Sequence, residues 1–127
     1  IFSNKLKELG YKYNKDYFRD IRYKTFIDNY KEMMDCDYII HINDRIVYIE
    51  VAGMLSKNYE KLYKSPELMY SKSKKLYAEK LNLKENMFID NGLEYFILFP
   101  SDLKEEKLDN LFENILNIKQ NKKELSA

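Results

Sequence analysis

Between residues 17 and 27 the chain reads YFRDIRYKTFI, with Ile21, Tyr23, Thr25 and Ile27 on one parity and Asp20, Arg22 and Lys24 on the other. Alternation with period two predicts a half-buried strand. Two further apolar runs, CDYIIHI and RIVYIEVAG, flank Asn43-Asp44, a pair favoured in hairpin turns, so residues 36–53 predict two antiparallel strands. EYFILFP (94–100) is almost wholly apolar and predicts a fourth strand, at the sheet centre with both faces covered. Helical signals surround these strands. Ser3 caps and Gly10 stops a short helix over 3–9. Ser65, Pro66 and Glu67 mark the start of a helix running to about Leu81, with Met69, Ser73 and Leu76 toward the core. SDLKEEKLDNLFENILNI (101–118) closes as an amphipathic helix with Leu108, Leu111, Phe112 and Ile115 inward. The order α-β-β-β-α-β-α predicts an α/β domain: a mixed four-stranded sheet flanked by helices.

Composition narrows the functional classes. The 127 residues fit one domain, and 22 basic against 21 acidic side chains with 45% hydrophobic residues describe an ordinary globular protein. No apolar run approaches the ~18–20 residues that span a bilayer, and no signal-peptide pattern opens the chain, so no membrane partner is expected. The start at Ile1 and the polar end read as a piece cut from a longer polypeptide, whose other domains are then its partners. One cysteine, Cys36, favours a reducing, cytoplasmic or nucleoid-associated setting and a small buried role for that residue. A single histidine, His41, rules out His-cluster metal sites, so any metal must be oxygen-bound: Mg²⁺, Mn²⁺ or Ca²⁺. Charge is unevenly spread: residues 57–84 carry eight lysines and three glutamates, +5 in all. Such a run is either a solvated helix face or a phosphate-facing surface.

The hairpin holds the candidate chemistry. A turn centred on Asn43-Asp44 pairs Ile42 with Arg45, Ile40 with Val47 and Tyr38 with Ile49, which sets Asp37 opposite Glu50. Directly opposed residues have Cβ atoms about 4.5–5.5 Å apart, and like charges there repel. Four resolutions are open. The acids lie solvated at the sheet rim, one carboxyl keeps a proton, a lysine or arginine neutralises the pair, or a divalent cation sits between them. His41 shares the parity of Asp37 but approaches the turn.

The element order, with Asp37 opening the second strand and Glu50 thirteen residues later in the third, resembles the PD-(D/E)XK nuclease superfamily over nearly the whole chain. IEVAGM followed by YSKSKK and YFILFPSDL is most similar to nuclease domains of the very-short-patch-repair and phage or homing-endonuclease type. The resemblance implies a restriction-endonuclease-like fold and a Mg²⁺- or Mn²⁺-dependent endonuclease that hydrolyses phosphodiester bonds, DNA ahead of RNA. Asp37 and Glu50, with the Ile49 or Val51 carbonyl, would hold the metal, helped by a glutamate of the first helix, by position Glu8. The family places a lysine two residues after the glutamate, where this chain has Ala52. Some relatives supply it from the following helix, which points to Lys72 or Lys75. That lysine would orient or deprotonate the attacking water. Lys57, Lys61, Lys64 and Lys74 would then track backbone phosphates, and a nuclease that cuts both strands often forms a homodimer. Two competitors stand beside this reading. One is a catalytically inactive nucleic-acid-binding or assembly module of the same fold; the other is a structural domain in which the acid pair is coincidental.

Overall fold

The runs on either side of Asn43-Asp44 form the expected hairpin, β2 (Asp35–Ile42) and β3 (Arg45–Val51). A computed structural model of the chain describes residues 2–28, 34–53, 55, 62–104 and 106–114. Asn43 turns with φ 56°, in the left-handed region that tight hairpins use and asparagine tolerates. Tyr38 pairs with Ile49, Ile40 with Val47 and Ile42 with Arg45, the register expected from the sequence.

β1 (Tyr17–Arg22) joins β2 antiparallel, and β4 (Glu94–Leu98) joins β3 parallel, in the order β1-β2-β3-β4. A parallel step needs a crossover, and α2 (Lys72–Asp90) supplies it. With α1 (Phe2–Glu8) before the sheet and α3 (106–114) after it, the domain is a mixed four-stranded sheet flanked by helices. No helix among the described residues is long and apolar enough to cross a membrane.

The alternation of the central strands fills both sheet faces. On one, Phe2 and Leu6 of α1 and Leu108 and Phe112 of α3 pack on Tyr38, Ile40 and Ile49. On the other, Met87 and Phe88 of α2 pack on Ile39 and Tyr48. Phe88 stacks on Tyr95 of β4 at 5.1 Å and meets Tyr23 edge-on at 5.7 Å. Arg45 (buried) binds the Glu94 carboxylate with both Nε, at 3.1 Å, and Nη2, which ties the starts of β3 and β4 together.

Four expectations are corrected. β1 ends at Arg22 rather than near Ile27, because Tyr23 leaves the alternation in a short 3₁₀ turn and sinks fully into the core beside α2. β4 lies at the sheet edge and not at its centre. Its apolar run follows from cover on both faces, Tyr95 packing on the α2 side and Phe96 on the α1–α3 side. The Ser65-Pro66-Glu67 signal starts only a 3₁₀ turn (Pro66–Leu68), broken by extended Met69. The long helix begins later, where Ser71 Oγ accepts the Lys74 N–H at 3.4 Å, and it runs to Asp90. Met69 is buried, but Ser73 and Leu76 face outward, the core side being Ala78, Leu81, Glu85 and Phe88. In the closing segment Pro100–Leu103 form a 3₁₀ turn, fixed by Asp102 accepting the Phe99 N–H at 2.9 Å, and extended Lys104 interrupts the expected continuous helix. Ile115 lies outside the described residues.

A buried acid anchors the segment that leads into α2. Glu85 accepts from Tyr95 OH at 3.0 Å and from Tyr63 OH at 3.4 Å, and pairs with Lys64. The Asn82 amide donates to the Tyr63 carbonyl, so residues 62–64 are held against the helix. Tyr95→Phe removes one donor from a buried carboxylate and should cost about 1–2 kcal/mol of stability in urea unfolding, with the fold retained.

Candidate active site

The β2–β3 ladder ends at the Tyr38–Ile49 pair, and the two acids sit just beyond it. Asp37 closes the ladder with its side chain, accepting the Val51 N–H at 2.6 Å. Glu50 is only 2% exposed, a burial that an acid sustains only with partners. It has two. Its Oε1 accepts the Tyr23 hydroxyl, and its Oε2 accepts the Lys84 ammonium at 3.0 Å. Lys84 also donates to the Asp35 carbonyl at 3.1 Å and lies 5.8 Å from the centre of the Tyr23 ring. Tyr77, one helical position from the core face of α2, donates to the Val51 carbonyl at 3.2 Å. Between β2, β3 and α2 these groups line a cleft of about 220 Å³ whose polar walls are Asp35, Asp37, Glu50, Tyr77, Lys80 and Lys84.

Electrostatics follow from this placement. Burial pushes the Glu50 carboxyl up to about 7; Lys84 opposes that shift, the Asp37 charge adds to it and the Tyr23 hydrogen bond opposes it. Burial, followed by the Glu50 charge, raises the Tyr23 hydroxyl well above the ordinary tyrosine range. The same two causes push the Cys36 thiol up to about 12, so this buried cysteine is not poised as a nucleophile. Of the four resolutions open for the acid pair, the structure shows a lysine bound to Glu50; Asp37 takes a partner outside those four, the Val51 backbone amide.

The other sequence candidates fall elsewhere. Lys72 and Lys75 occupy the first turn of α2 and do not line the cleft, because the helix starts later than the sequence suggested and its cleft-facing flank is Tyr77, Leu81 and Lys84. Lys74 is also in that first turn, its backbone N–H capped by Ser71. Lys64 is committed to Glu85 and stands over the Tyr63 ring at 5.1 Å. Glu8 is exposed at the far end of α1, about 9 Å of helical rise from Phe2, and lines neither cleft that Asp37 borders. His41 is exposed near the hairpin turn, edge-on to Phe18 at 5.3 Å. Lys57 and Lys61 lie outside the described residues.

Sequence reasoning missed Lys84, Lys80, Tyr77 and Tyr23. A signal for the lysines was present: Asn91-Gly92, with Gly92 at φ 63°, is a helix stop ten residues beyond the end assigned from the sequence, and a helix reaching it carries Lys84 onto the flank of Tyr77 and Leu81. Tyr23 had none, because the alternation of 17–27 continues through it.

Among the described residues no three His, Cys, Asp or Glu side chains form a metal cluster. The donor chemistry nevertheless suits Mg²⁺ or Mn²⁺ of the kind held by one or two carboxylates together with substrate phosphates. Asp37 and Glu50 are hard oxygen donors on one wall, and a carboxylate oxygen that accepts one hydrogen bond retains a further lone pair. No family model matches the chain, and no curated protein or solved structure is significantly similar to it, so a functional reading rests on the cleft itself.

Proposed function

We propose that this domain hydrolyses phosphodiester bonds in nucleic acid, DNA ahead of RNA, as a Mg²⁺- or Mn²⁺-dependent endonuclease of the PD-(D/E)XK kind. The observation that carries this reading is the convergence of Asp37, Glu50 and Lys84 in one cleft. Asp37 and Glu50 would hold the cation, which when bound supplies Lewis acidity at the phosphate. Lys84 takes the role that the sequence left to Lys72 or Lys75. Two of its three N–H groups bind Glu50 and the Asp35 carbonyl, and the third serves to orient the attacking water and offset charge on the phosphoryl oxygens. Glu50 must be ionised to hold the cation, and the Lys84 ammonium bonded to it favours that form. Tyr23 is a positioning residue that fixes the Glu50 carboxylate. Exposed Lys80 at the cleft wall draws in the phosphate chain. Two copies of the cleft in a homodimer would let the domain cut both strands, and the buried thiol of Cys36 suits a cytoplasmic setting.

Calorimetric titration of Mn²⁺ into the wild type, Asp37→Ala and Glu50→Gln tests the reading. Each variant should bind at least about tenfold more weakly, since a coordinating carboxylate is removed from a site with two. A folded wild type that takes up no Mn²⁺, with DNA absent and with it present, sinks the nuclease reading. One observation favours the inactive binding module instead: Lys84 already balances Glu50 within the fold, so the buried acid needs no cation. That module would bind nucleic acid without taking up Mn²⁺.

A further inference from the structure

A second cleft, of about 330 Å³, opens on the α1 side of the sheet and is lined by Arg19, Asp20, Asp37, Tyr38, Val51 and Leu103. Asp37 and Val51 line both clefts, so the two meet at the end of the β2–β3 ladder. Arg19 faces Tyr38 across the β1–β2 ladder, its guanidinium carbon 5.5 Å from the ring centre. Seating on an aromatic face restrains the planar fork while its N–H edges stay available. Arg19 is exposed, and among the described residues no carboxylate lies within ion-pair distance of it.

The backbone marks the same place. Arg19–Tyr38 and Ile21–Cys36 are paired, but the Asp20–Asp37 pair between them is missing, and Asp20 takes φ 54°. A non-glycine residue in the left-handed region within a strand persists only where its surroundings over-determine it, and such residues cluster at functional sites. The ladder is therefore open at the level of Asp37, where the clefts join.

We propose that Arg19, seated on Tyr38, holds a backbone phosphate of the substrate. The strand then crosses Asp37 from the Lys80–Lys84 side to the Arg19 side. This rests on the nuclease reading and adds to it a path for the substrate. Cations flank the acid on both sides, Lys80 and Lys84 in one cleft and Arg19 in the other.

The test is fluorescence anisotropy of a fluorescein-labelled single-stranded DNA, with Ca²⁺ in place of Mg²⁺, across a salt series. It is run on wild type, Arg19→Ala and Arg19→Lys, alongside cleavage kinetics in Mg²⁺ and a thermal melt of each protein. Arg19→Ala should bind about tenfold more weakly and flatten the dependence of log K on log salt by about 0.7, the loss of one phosphate contact to a single strand. Its KM should rise while kcat stays close to wild type. Arg19→Lys should recover the salt dependence but only part of the affinity, because a point charge replaces a fork. If the wild type binds and cleaves while folded Arg19→Ala keeps its affinity and salt slope, the subsite is overturned and the nuclease reading stands. A wild type that neither binds nor cleaves overturns both.

Discussion

Lys84→Ala should slow DNA cleavage by at least about 100-fold, the lower bound for removing a preorganised donor aimed at developing charge, whereas Lys72→Ala and Lys75→Ala should cut at close to the wild-type rate. Among the described residues Lys84 is the ammonium bonded to Glu50, and it is the one anchored by a second acceptor, the Asp35 carbonyl. Removing it takes charge from the place where the phosphoryl oxygens gain it, so the loss should fall on kcat more than on KM. Lys84→Arg should not restore the rate. A guanidinium is bulkier, fixed in plane and permanently charged, and the partly buried pocket of Lys84 was shaped by an ammonium. Cleavage of supercoiled DNA in Mg²⁺, with a urea melt to establish that each variant is folded, decides the matter. Wild-type cleavage by Lys84→Ala, combined with loss in Lys75→Ala, would move the chemistry to the first turn of α2 and away from this cleft.

In metal-free protein, Glu50 should make stability fall as pH rises from about 4.5 to about 7. Its carboxyl titrates near 4.5 when exposed and is pushed up to about 7 in the fold. In that window the folded state holds a proton that the unfolded state has released, so rising pH favours unfolding. The stabilisation is complete below the unfolded value and is lost as pH passes through the folded one. At about 1.4 kcal/mol per pH unit, the loss is about 3 kcal/mol across the window. Glu50→Gln keeps the shape and a hydrogen-bonding capacity but does not titrate, so its unfolding free energy in EDTA should lack this slope. Parallel curves for the two proteins would refute the assignment to Glu50. Binding of a divalent cation requires the ionised carboxylate, so Mn²⁺ affinity should climb over the same range.

What was legible in the sequence was local. Period-two alternation and a single turn dipeptide carried the register of the hairpin, which stops at Tyr38–Ile49 and leaves Asp37 and Glu50 just beyond it, lining one cleft. The parallel fourth strand followed from the helical segment before it, since no short turn makes a parallel pair. Long-range choices were hidden. Ser65-Pro66-Glu67 is a sound helix start, yet the chain spends it on a single 3₁₀ turn. Tyr63 and Lys64 are anchored to Glu85, and the competing cap at Ser71 begins the helix proper. Tyr23 continues an alternation by sequence and abandons it in space, drawn to Glu50 and an edge-on contact with Phe88. Lys84 was overlooked for the same reason: its role depends on where α2 begins and ends, which tertiary contacts decide.

The parallel crossover also fixes the order in which the cleft comes into being. The β2–β3 hairpin closes over a two-residue turn and needs only neighbouring chain, while Lys84 stands 34 residues beyond Glu50 and arrives with α2. Non-local pairings of this sort form late, after the entropy of closing the intervening loop has been overcome. A chain leaving the ribosome thus presents its two acids before it has the lysine that balances one of them or the helix that walls the cleft. Docking of β4 beside β3 completes the sheet. Under the proposed function, a half-synthesised or truncated chain is chemically silent toward the nucleic acid around it, and competence is acquired together with the finished fold.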